Sequence, residues 1–118
     1  SIVNFSIKEI PNNELKPMYK DYDSLGFGQV YTDYMFNMKW TKENGWEKGK
    51  ITKYEPMTFD PASVVIQYSQ EVFEGMKAYY SKDGRVLLFR PFDNAKRMYK
   101  SAERLCMTPV PEEIFAFS

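Results

Sequence analysis

An Asp-Gly pair at positions 83 and 84, with apolar runs on both sides and a proline at position 91, constrains this chain more than any other feature. Asp-Gly marks a tight hairpin, because the turn needs backbone conformations that glycine and aspartate tolerate. The flanking runs, Val72 to Tyr80 and Arg85 to Arg90, then read as paired strands. Gly75 falls inside the first run. A glycine there weakens a strand and marks a bulge or the close approach of another backbone or a ligand. Pro91 fits the first position of a helix, where its missing N–H costs nothing. The spacing predicts that helix to about Cys106. Ala95, Met98, Ala102, Leu105 and Cys106 recur at steps of three and four, with Lys96, Lys100, Glu103 and Arg104 mostly off the stripe. Cys106 on this stripe is expected in the core. Pro109 and Pro111 end the helix, and Glu112-Glu113-Ile114 can begin another.

Upstream, residues 1–28 carry little periodicity and are interrupted by Pro11-Asn12-Asn13 and Pro17, so they read as an extended lead-in. Val30, Thr32, Tyr34, Phe36, Met38 and Trp40 then alternate, which predicts a strand over 30–40 with one buried face. Residues 42–50 are a polar, glycine-punctuated turn. Ile51 to Tyr54 and Met57 to Phe59 read as short extended pieces. Asp60-Pro61-Ala62-Ser63 predicts a helix start, with Asp60 as N-cap and Pro61 at the first helical position, running to about Tyr68. The expectation is one α+β domain, a mainly antiparallel sheet flanked by helices. Its parts are the lead-in 1–28, sheet and helices over 29–108, and an interrupted helix over 111–118.

Function is bounded mainly by what is missing. Sixteen Lys+Arg balance sixteen Asp+Glu, so the formal net charge is zero. Nucleic-acid binding, which needs a basic excess on one face, is disfavoured. The chain has no histidine. That removes the usual base for a nucleophile and the commonest metal ligand, leaving carboxylates, Lys, Tyr or a cofactor for any chemistry. Cys106 is the single cysteine, so no internal disulfide can form and a reducing compartment is the default. With no apolar run of membrane-spanning length and no leader-like segment, the cytoplasm is the simplest address and no membrane partner is expected. Aromatic residues reach 17%, which fits a pocket, a large interface, or simply a Tyr-rich core and surface.

Read from its residues alone, Arg97 has two uses. Early in a helix, its fork and nearby backbone N–H groups can hold a phosphate. It can equally be a surface arginine paired with Asp93 four residues before it. Phe27 and Phe73 fit a pocket wall or ordinary core packing. Lys77 invites assignment as a covalent cofactor lysine, but also fits a strand residue with a solvated ammonium or a carboxylate partner. Glu112 and Glu113 are adjacent, and neighbours on a helix do not converge on one substrate.

The string Tyr68-Ser69-Gln70-Glu71-Val72-Phe73-Glu74-Gly75-Met76-Lys77-Ala78-Tyr79 resembles the FEGMKAY segment of branched-chain aminotransferases, pyridoxal-phosphate enzymes of fold type IV. Leu88 to Leu105 is similar to that family's LFRPxxNxxRMxxSAxRL continuation. Phe27 to Met35 resembles its FGxxFTDHM stretch, with Tyr34 where His is common. The likeness covers about residues 24–115. It implies the small domain of a two-domain enzyme that moves the amino group of Leu, Ile or Val to 2-oxoglutarate. It assigns Arg97 to the phosphate of pyridoxal 5′-phosphate, and Phe73, Tyr68, Phe27 and Gly75 to the substrate pocket, Tyr68 reaching that of the partner in a homodimer. An apolar wall suits side chains that offer no polar handle. The resemblance places the Schiff-base lysine and the acidic partner of the ring nitrogen beyond Ser118, so no catalytic residue and no metal ligand is expected in these 118 residues. A D-amino-acid transaminase or an aminodeoxychorismate lyase has the same fold. A catalytically inactive fragment or dimerisation module is the alternative from another class.

Overall fold

The computed structural model describes residues 4–118 and divides the chain into two compact units, one up to Thr58 and one over Phe59–Ser118. Together they form an α+β structure whose strand pairs are mostly antiparallel.

The first unit is built on a three-stranded sheet in the order β1-β5-β2, with β1 Phe5–Ile7, β2 Tyr34–Asn37 and β5 Gly49–Lys53. Strand β1 comes from the expected lead-in and pairs parallel with β5, Phe5 opposite Gly49 and Ile7 opposite Ile51. Strand β2 pairs antiparallel on the other edge, with Phe36 opposite Ile51. The strand predicted over 30–40 is therefore shorter. Before Tyr34, the Asp33 carbonyl still accepts from the Tyr54 N–H at 2.8 Å, but a side chain takes the two carbonyls upstream of it. Lys16 Nζ donates to the carbonyls of Tyr31 at 2.9 Å and Thr32 at 3.2 Å, and Thr32 Oγ1 donates to the carbonyl of Tyr34 at 2.7 Å. A small hairpin, β3 Trp40–Thr41 and β4 Gly45–Trp46, lies between β2 and β5 in the chain, its turn held by Asn44 N–H donating to Thr41 Oγ1 at 3.1 Å. Short 3-10 turns cover Asn12–Glu14 and Tyr22–Leu25. The Tyr34 hydroxyl accepts from the N–H of buried Ile10 at 2.9 Å, tying the segment after β1 to β2.

The second unit opens with α1, Val64–Tyr68, one turn later than predicted. Asp60 does accept, but from Ala62 N–H at 2.7 Å, while its carbonyl takes Ser63 N–H at 2.9 Å. Those bonds close a turn, and Ser63 becomes the N-cap, its carbonyl receiving Ile66 and Gln67. The hairpin forms where Asp83-Gly84 places it, as β6 Ala78–Tyr80 and β7 Val86–Leu88 with Gly84 at φ 83°. Residues 72–77 lie outside the strand, so Gly75 is not a strand glycine. Helix α2, Pro91–Arg104, starts on Pro91 as the sequence requires and buries Ala95 and Ala102. Helix α3, Glu112–Phe117, packs against it.

The end of α2 overturns the core assignment of Cys106. The Cys106 N–H donates to the Glu103 carbonyl and the Met107 N–H to the Ala102 carbonyl at 2.9 Å, the paired bonds of a Schellman cap. Cys106 takes the left-handed position, φ 56°, that glycine usually fills, and its side chain is exposed. The helix stops before the residue can reach the apolar stripe.

Few apolar side chains are fully covered, although several, such as Phe36, Ile51 and Met98, are half-buried. Among the described residues Ile10, Ala95 and Ala102 are the buried hydrophobic ones. The chain exposes 10300 Å². A compact folded chain of 13.9 kDa exposes roughly 6,700 Å², and two separate folded units of half that mass roughly 8,100 Å² together.

Candidate functional site

The sequence block singled out for chemistry falls wholly in the second unit except for Phe27. Arg97 lies in the second turn of α2, past the backbone N–H groups of the first turn, of which Asp93 N–H is taken by the Arg90 carbonyl at 3.0 Å. Asp93 is not its partner: that carboxylate pairs with Arg90 at 2.6 Å. Arg97 instead reaches Glu74. Its Nε donates to Glu74 Oε2 at 2.7 Å and its Nη2 to Glu74 Oε1, a two-pronged grip across 23 residues of sequence. The Glu74 side chain is 5% exposed and that of Arg97 66% exposed. Asn94, one turn before Arg97 on α2, completes the cluster. Its Nδ2 donates to Glu74 Oε1 at 3.0 Å and to the Gly75 carbonyl at 2.8 Å.

The electrostatics follow from this geometry. Hydrogen bonding by Arg97 holds the Glu74 carboxyl below its ordinary value, with Asn94 adding to the effect against the opposing cost of desolvation. In return Glu74 raises the Arg97 guanidinium further above its usual value. Both groups are charged at neutral pH. A guanidinium has five N–H donors in a plane. Glu74 occupies the edge formed by Nε and Nη2, and the end formed by Nη1 and Nη2 still carries donors. A shallow hollow along the same stretch of α2 is lined by Asp93, Lys96, Arg97, Lys100, Ser101 and Arg104. Three further cations, Lys96, Lys100 and Arg104, line the hollow with the exposed arginine fork against the carboxylate of Asp93, so an anion site is chemically reasonable, and the donors match a phosphate.

The other predicted site residues are displayed rather than packed. Tyr68 is 83% exposed at the end of α1, Phe73 is 88% exposed, and Phe27 in the first unit is 95% exposed. That removes ordinary core packing as the use of Phe27 and Phe73 within this chain. Gly75 is unconfined: a Cβ there would meet only Phe73 Cζ, at 4.0 Å, an ordinary contact. Lys77 is exposed just before β6. Glu74 and Asn94 are the members of the cluster absent from the residues expected at the site. The position of Glu74 between Phe73 and Gly75 is the available signal, and Asp93 at helical spacing offers Arg97 a nearer carboxylate in the sequence.

Comparison with known proteins decides the kinship. The chain is 54% identical over 94 residues to a branched-chain-amino-acid transaminase of Bacillus subtilis, which covers 80% of this chain and 26% of that protein. A second aminotransferase of that organism is 47% identical over 93 residues, 79% of this chain and 26% of its own length. The chain is a homologue of branched-chain aminotransferases. The cytosolic enzyme of Saccharomyces cerevisiae extends the same similarity to a eukaryote, at 46% identity over 96 residues, 80% of this chain and 26% of the yeast protein. The chain thus spans about a quarter of the length of the relatives it matches. No protein-family model matches it. No helix among the described residues is long and apolar enough to cross a membrane.

Proposed function

We propose that this chain is the N-terminal, phosphate-side segment of a branched-chain-amino-acid aminotransferase, the small domain of a two-domain fold type IV enzyme. The identity of up to 54% with such transaminases over four-fifths of the chain is the observation that carries this reading. The complete enzyme would pass the amino group of Leu, Ile or Val to 2-oxoglutarate, as a homodimer in the cytoplasm. Pyridoxal 5′-phosphate, when bound, would supply the carbonyl that receives the amino group and the ring that withdraws electrons. Arg97 would hold its phosphate through the donors that Glu74 leaves over, with Lys96 and Lys100 contributing charge. Phe73, Tyr68 and Phe27 would form apolar wall, and Gly75 would keep the backbone thin beside the substrate. The covalent lysine and the carboxylate facing the ring nitrogen belong to other parts of the enzyme. The exposed aromatic side chains and the surplus surface suit a segment that the rest of a larger protein covers.

A chimera tests this. Residues 24–115 replace the matching segment of the Bacillus subtilis transaminase, and leucine-dependent formation of glutamate from 2-oxoglutarate is followed. Retained activity is expected, with cofactor affinity falling by about 2–4 kcal/mol on Arg97→Ala, the range for truncating one partner of a charge pair. A folded chimera without transamination overturns the functional reading. Unchanged cofactor retention in Arg97→Ala removes Arg97 from the phosphate.

A further inference from the structure

Arg97 is not held by its own helix. Its long side chain has four rotatable bonds and is two-thirds exposed, so without a partner it would sample many directions, and ordering it would weaken any anion contact. Glu74 removes that freedom. The carboxylate is nearly covered and accepts from Arg97 Nε and Nη2, while Asn94 Nδ2 fixes Oε1 and also fastens the carbonyl of Gly75. We infer that Glu74 and Asn94 are positioning residues that aim the free end of the Arg97 fork at a phosphate monoester and lock the Phe73–Gly75 segment to α2. The inference rests on the assignment of Arg97 to the cofactor phosphate and adds to it the residues that make the contact directional.

A carboxylate beside an anion site can also act in the opposite sense, as a competitor for the arginine. Two features of the cluster weigh against that role. Glu74 takes the Nε edge of a planar fork, so an oxyanion at the Nη1 end lies across the guanidinium from it. Lys96, Lys100 and Arg104 line the hollow with Arg97 and offset the carboxylate's charge. Orientation and competition predict opposite signs on removing Glu74, and this makes the inference decidable.

The probe is pyridoxine 5′-phosphate, a phosphate monoester with no aldehyde to react with lysines, titrated into the dilute 118-residue chain and followed by calorimetry and phosphorus NMR. Glu74→Gln and Asn94→Ala should each weaken binding three- to tenfold, and Arg97→Ala at least tenfold. In the Arg97→Ala background Glu74→Gln should have no further effect, which a purely architectural role for Glu74 would not produce. Tighter or unchanged binding in Glu74→Gln, with Arg97→Ala still weakened, overturns the positioning role and leaves the phosphate assignment standing. A Glu74→Gln loss that persists without Arg97 overturns it as well. Wild-type binding by Arg97→Ala overturns the phosphate assignment itself. Where Glu74→Gln loses its circular dichroism signal, Asn94→Ala, which keeps both charges, decides between the same outcomes.

Discussion

Gly49 and Gly75 lie in different units and in opposite surroundings. Gly49 is buried at the start of β5, opposite Phe5, and a Cβ built on it would come within 2.7 Å of Phe36 Cζ and 3.3 Å of Phe5 Cβ. The aromatic ring lies where a side chain would be, and the chain's own packing accounts for the glycine. Gly75 is exposed, outside any strand, with room for a methyl group beside it. The first glycine answers to the fold. The second is tied to the fold through backbone bonds, its carbonyl held by Asn94, and its lack of a side chain suits a surface that something else approaches.

The largest expected effect falls on the first. Gly49→Ala forces the Phe36 ring to shift and should lower stability by about 1–3 kcal/mol in a urea titration, the range for overpacking. A loss below half a kcal/mol would show that the ring moves freely, and the contrast would collapse. A smaller effect of opposite sign is expected at the end of α2. Cys106→Gly relieves a left-handed non-glycine residue and should raise stability by about 1 kcal/mol, read from the same titration. The smallest effects belong to the displayed segment. Phe73→Ala and Gly75→Ala should each change the stability of this chain by less than about 0.5 kcal/mol, as for surface positions. In the chimeric transaminase the same two substitutions should impair leucine more than glutamate. A stability loss near that of Gly49→Ala would place Phe73 in a core, and an equal loss for both substrates would end its role as an apolar wall.

The parts of this fold that could be read from sequence are those whose signals are local. The β6–β7 hairpin follows from Asp83-Gly84, and the start of α2 follows from Pro91, because turn and cap chemistry acts over a few residues. The pairing of β1 with β5 joins residues over 40 positions apart, and β1 has only three residues, too few for alternation to be visible. The strand expected over 72–77 fails for a related reason: the Gly75 carbonyl finds its donor on Asn94, a side chain of α2, and no periodicity encodes such a bond. At the candidate site, Arg97 was singled out by the resemblance, since its place on the helix left a surface ion pair open. Its partner was not, since Asp93 stood at helical spacing while the real carboxylate was 23 residues away.

The joint between β7 and α2 carries a mechanical consequence. Phe89 and Arg90 alone separate Leu88 from Pro91, and Arg90 turns the chain in the left-handed region at φ 48°, ψ 54°. With a rise of about 1.5 Å per residue, Arg97 stands about 10 Å along the helix from that pivot, so a 10° twist at one dihedral would sweep it by up to about 2 Å. The helix is a lever whose fulcrum is a single residue. The bonds from Arg97 and Asn94 to Glu74 brace its far arm against the preceding segment, so the aim of the guanidinium depends on two anchor points instead of one.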